Sequence, residues 1–79
     1  MKHFLIVYDR SRNKLLTLQE FSSSERRVAM DRRFELEMRE REHPQVEVVV
    51  LNADSLDAIK RTHGRYFSSP AQLLARAKI

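Results

Sequence analysis

Lys2-His3-Phe4-Leu5-Ile6-Val7-Tyr8 is the stretch on which the fold turns. In an extended chain His3, Leu5 and Val7 project to one side and Phe4, Ile6 and Tyr8 to the other, and both sets are largely apolar. A strand with one wet face would alternate apolar with polar, so this segment needs cover above and below and a neighbour on each edge. It is predicted to be a central strand.

The sequence on its C-terminal side supplies the first neighbour. Asp9-Arg10-Ser11-Arg12-Asn13-Lys14 is polar, with Asp, Ser and Asn to make turn geometry where no glycine is present. Lys14 to Phe21 resumes a β-like run through Leu15, Leu16, Thr17 and Leu18, which closes a hairpin. Ser22-Ser23-Ser24-Glu25 then carries the spacing of a capping box, serine at the N-cap and glutamate three positions on. A long helix is predicted from there to His43, because residue 44 is proline and pushes the residue before it out of helical geometry.

The second neighbour is Gln45 to Leu51, with Val46, Val48 and Val50 on one side and Glu47, Val49 and Leu51 on the other. After Asn52-Ala53, Asp54 is placed to cap a short helix whose inner stripe is Leu56, Ile59 and His63. Gly64 is read as its left-handed stop. Ser69-Pro70-Ala71-Gln72 offers an N-cap, a proline at the first helical position and a capping-box glutamine, predicting a final helix to the C-terminus. The order is β-β-α-β-α-α. The third strand should run parallel to the second and lie beside the first, a three-stranded sheet in order 2-1-3, class α+β, with the long helix packed on it. A single domain over residues 1–79 is expected, with no linker or repeat to divide it. One face of so small a sheet is expected to remain at least partly open.

A chain of 79 residues has a thin stability margin, and with no cysteine neither disulfides nor thiolate metal sites can support it. Self-association is the remaining support. Lack of cysteine also fits a reducing compartment, no apolar run reaches the roughly 18 residues of a membrane span, and residues 4–8 are too short for a signal peptide. The expectation is a cytoplasmic protein without a membrane partner.

The net charge of +4 raises nucleic-acid binding as a reading, so its distribution matters. Residues 22–42 hold six arginines and six acids and are neutral, whereas residues 1–21 carry +2, residues 43–64 carry −1 and residues 65–79 carry +3. The excess lies at the hairpin turn and the C-terminal end, where Arg10, Arg12, Lys14, Arg65, Arg76 and Lys78 form the candidate phosphate-contacting set. Arg65 followed by Tyr66 and Phe67 adds stacking surface, although apolar residues after a helix stop commonly fold back into the core.

On a helical wheel the long helix has two apolar stripes, Ala29 and Leu36 at about 80–100° and Met30, Phe34 and Met38 at about 200–280° from Val28. Between them run Arg33, Glu37 and Arg41, spaced i, i+4, i+8. For Met30, Phe34 and Met38 the first expectation is burial in the core, and the competing one is contact with a partner. The ionic ladder suits either a register-setting seam or a solvated row.

Catalytic signals are weak. His3, His43 and His63 lack metal-ligand spacing, no phosphate loop or nucleophile elbow is present, and no cofactor is implied. His63 and Tyr66 would be first in line for any hydrolase or nuclease chemistry, because they share a neighbourhood; a half-buried histidine is the plainer account of His63. The sequence therefore points to a small interaction or regulatory module, self-associating or docking on a protein partner through Met30, Arg33, Phe34, Glu37, Met38 and Arg41 or through open sheet surface. A basic nucleic-acid-binding regulator is the alternative.

Overall fold

A computed structural model describes residues 1–67. Strand β1 spans Lys2–Asp9, β2 Lys14–Phe21 and β3 Val46–Ala53, and they form one sheet in the order β2-β1-β3. Both neighbours run antiparallel to β1, which makes β2 and β3 parallel to each other. Helix α1 spans Arg26–Arg39 and helix α2 Leu56–Thr62, with single 3-10 turns at Ser23–Glu25 and Gly64–Phe67. The final helix predicted from Ser69 lies outside the described residues.

Strand β1 is buried from His3 to Asp9, as an apolar pattern on both sides requires. Its two faces seed two separate cores. Leu5 and Val7 pack with Phe21, Ala29 and Leu36 beneath α1, joined by Val46, Val48 and Val50. Phe4, Ile6 and Tyr8 pack with Ile59 and Tyr66 beneath α2 and the turn after it, joined by Leu15, Val49, Leu51 and Phe67. The expectation of a partly open sheet face holds at β2, where six of eight residues are exposed, while this second layer covers the other side of β1. A sheet of three strands is narrow enough for Leu56, Ile59, Tyr66 and Phe67 to cover the side of β1 that α1 leaves bare. What stays open is the β2 edge, where Leu16 and Leu18 are exposed. Leu16 is the extra residue of a β-bulge, since Val7 pairs with Thr17 but Tyr8 pairs with Leu15.

Local signals explain most element ends. Asn13, at φ 52°, is the only non-glycine residue with a positive φ among the described residues, and it turns the hairpin as its short polar side chain allows. The Asp9 carboxylate accepts from the Ser11 amide at 2.9 Å, the Ser11 hydroxyl at 2.7 Å and the Arg12 amide at 3.2 Å. The Ser11 hydroxyl is the largest of the effects that hold the pKa of Asp9 below its ordinary value. At the start of the long helix the Ser22 amide donates to Glu25 Oε1 at 2.9 Å, the reach-back half of the capping box, but one 3-10 turn precedes the α-helix proper.

Three boundaries differ from expectation. Helix α1 ends at Arg39, a turn before His43, because the chain reverses there through a turn closed by the His43 amide on the Glu40 carbonyl at 2.8 Å. The cap of α2 is Ser55, whose hydroxyl accepts from the Ala58 amide at 3.2 Å, and Asp54 lies one residue outside it. Gly64 is not left-handed; His63 occupies the C-cap with φ −131° and ψ 47°, and Gly64 opens the 3-10 turn.

Candidate functional site

Helix α1 has only two buried residues, Ala29 and Leu36. Both lie on the stripe at about 80–100°, so that stripe faces the sheet, and Phe34 and Met38 at about 240° and 280° point away from it. Phe34 is 65% exposed and Met38 50% exposed. The expectation that Met30, Phe34 and Met38 fill the core is therefore corrected for the last two, while Met30 is half-buried. The physical reason is the size of Ala29: a methyl group at the contact lets the helix backbone approach β1 and β3 closely, and Leu36 with the β3 valines fills the layer.

Met30, Arg33, Phe34 and Glu37 line a shallow groove of ≈ 210 Å³ on this side of α1. Arg33 Nε and Glu37 Oε1 are 2.5 Å apart, so the first rung of the ladder forms. Arg41 does not extend it as a helical residue, because it falls beyond Arg39 in the following turn. Arg32 pairs separately with Glu35 at 3.0 Å. The surface that results is an aromatic ring and two thioethers around an exposed ion pair, a composition that interfaces favour over bare surface.

Of the candidate phosphate-contacting set, Arg10, Arg12 and Lys14 stay together around the hairpin turn, and Arg10 and Arg65 both act on Glu47. Arg10 donates to the Pro44 carbonyl, Arg12 lies 3.7 Å from Asp9, and Arg65 donates to Glu47; Lys14 is exposed, and Arg76 and Lys78 lie outside the described residues. Tyr66 and Phe67 take the fold-back packing that apolar residues after a helix stop favour, in place of a stacking surface. Tyr66 is buried against Tyr8 in an edge-to-face pair at 5.2 Å, and Phe67 packs on the same core, with Lys60 Nζ 5.8 Å from its ring centre.

A polar cluster not singled out from the sequence joins these residues. The Tyr66 hydroxyl donates to Glu47 Oε2 at 2.5 Å, and Arg65 Nη2 donates to both Glu47 oxygens at 3.0 and 2.8 Å and to the Tyr66 oxygen at 2.7 Å. The guanidinium also lies 4.1 Å from the centre of the Tyr66 ring. Burial works against the charge of Glu47, but the hydrogen bonds from Tyr66 and Arg65 and the positive charges of Arg65 and Arg10 outweigh it and hold its pKa below the ordinary value. Burial and the bond to Glu47 push the Tyr66 phenol up to about 12. Glu47 was the visible signal: it is the only charged side chain in β3, and it sits directly across from Tyr8.

His63 stacks on Tyr66 at 6.3 Å and its Nδ1 lies 2.8 Å from the Thr62 hydroxyl. The Tyr66 oxygen is already shared between Glu47 and Arg65, which ties the 3-10 turn to β3. Among the described residues no three His, Asp or Glu side chains gather as a metal site, and no helix is long and apolar enough to cross a membrane.

Comparison with protein-family models, curated proteins and solved structures finds no match to this chain. The functional reading rests on the geometry.

Proposed function

We propose that the protein is a small interaction module that docks on a protein partner through the outer face of α1. The observation that carries this is the exposure of Phe34 and Met38 on the side of the helix facing away from a sheet whose central strand is already covered on both faces. A phenyl ring left in water forgoes about 2 kcal/mol of burial, and a lone exposed residue would need no explanation; a ring, two thioethers and a paired guanidinium on one side of a helix do. A cytoplasmic setting belongs to the same proposal and is supported by the absence of cysteine.

A photoreactive side chain placed at position 34 of the full chain in living cells tests the reading, with the same group at position 28 as the control. Val28 is also exposed on α1 but sits about 120° around the helix from Phe34. Protein adducts at 34 and none at 28 are expected. Equal yields at both positions, or none at either, reject the outer face as a docking surface.

A further inference from the structure

We infer that the occupant of the α1 groove is a second copy of this chain, related by a twofold axis that passes near Phe34 and sets the two α1 helices antiparallel. The inference rests on the reading of this face as a docking surface and names its partner.

The first support is electrostatic. The molecule carries a net charge of +4, so two copies repel each other at most approaches, but residues 22–42, which contain α1, are neutral with the two signs interleaved. Two copies meet there with the least repulsion. The second support is the order of residues along the helix. In an antiparallel pair whose twofold axis passes level with residue 35, Phe34 and its counterpart lie about 3 Å apart along the helix axis, and so do Met30 of each copy and Met38 of the other. The Arg33–Glu37 pair is itself centred on residue 35. The same register therefore brings Arg33 of each copy opposite Glu37 of the other, and the ion pair within each chain becomes part of an alternating four-charge row. A self-complementary patch of this kind is what a closed twofold interface requires. A parallel pair would instead set Arg33 against Arg33 and Glu37 against Glu37.

Sedimentation velocity on the full chain and on charge-reversal variants tests the inference. Wild type is expected to form a dimer at micromolar concentration. Arg33→Glu alone and Glu37→Arg alone each place like charges opposite one another and are expected to weaken the dimer at least tenfold, while an equimolar mixture of the two restores association as a heterodimer. Both positions are exposed, and an unchanged far-ultraviolet circular dichroism spectrum verifies that each variant folds.

Orientation is read from disulfide formation, which is clean because the chain has no cysteine of its own. A mixture of Met30→Cys and Met38→Cys is expected to cross-link under mild oxidation. Met30→Cys alone is not, because its counterpart lies about 15 Å away along the axis in this register. Self-linked Met30→Cys, dimers unaffected by either reversal, or a mixture that stays apart overturns the antiparallel pair. A wild type that remains monomeric also overturns it. In that case adducts to a different protein at position 34 would leave the docking surface standing, and their absence would remove both.

Discussion

Tyr66 shows how much one side chain can hold when every atom has a partner. Its ring closes the core over Tyr8, its hydroxyl donates to Glu47, and Arg65 lies over its face. Tyr66→Phe keeps the ring and leaves Glu47 with Arg65 alone, which is expected to cost about 1–2 kcal/mol in urea denaturation. The alkaline side follows from the phenol pushed up to about 12. The folded state keeps this proton after the unfolded chain has lost it at about 10, so Tyr66 supports the fold fully below pH 10 and its contribution drains away as pH rises towards 12. Ultraviolet titration at 295 nm should show a late tyrosine ionisation, and Tyr66→Phe should remove that step. A phenol of ordinary pKa at this position would disprove the buried bond to Glu47. Asn13 offers a second check at this scale, because its φ of 52° suits glycine and asparagine but crowds a β-branched side chain. Asn13→Gly should be tolerated, and Asn13→Val should lower the urea midpoint by the equivalent of about 1–2 kcal/mol.

At the level of elements, α1 has two apolar stripes of opposite fate. Leu36 and Met38 stand two residues apart, one 6% exposed against β1 and β3 and the other 50% exposed. Leu36→Ala is expected to cost about 2–4 kcal/mol through lost transfer energy and the cavity left behind. Met38→Ala should change monomer stability by less than about 0.5 kcal/mol and act only on association. Equal losses would mean that both stripes are packed within one molecule. The sequence made both stripes legible, together with the ladder between them, but offered no means to choose which stripe meets the sheet. That choice depends on the distance between helix and sheet, and Ala29 sets it by allowing a closeness that Phe34 in its place would forbid. The elements themselves were readable in order and kind, because strand periodicity in β1 and β3, the polar turn at residues 9–14 and the Ser22–Glu25 box are local signals. Their ends were less so: the early stop of α1 at Arg39 and the cap at Ser55 are settled by turns whose hydrogen bonds leave little mark on composition.

Across the molecule, three carboxylates, Asp9, Glu25 and Glu47, have pKa values held below normal by hydrogen bonds at a hairpin turn, a helix start and the 3-10 turn on β3. Because the folded state binds fewer protons at these groups than the unfolded chain, stability is fully expressed above the ordinary carboxylate range and falls as pH drops through the depressed values. Urea midpoints measured from pH 7 down to pH 2.5 should decline steadily below about 4.5, and Glu47→Gln should flatten part of that decline. A profile without slope would show that the three contacts are absent in solution.

Lys2 to Tyr8, apolar on both sides, required a central strand, and with a hairpin before the long helix and an apolar strand after it the order β2-β1-β3 followed, since pairing and alternation are properties of neighbouring residues. Tertiary structure alone decided that α2 and the turn after it would cover the second side of β1, that Glu47 would meet Arg65 and Tyr66, and that Phe34 and Met38 would turn outward. Those outcomes depend on which bodies fit a surface and how closely, a matter of volume and distance in three dimensions that a one-dimensional pattern does not contain.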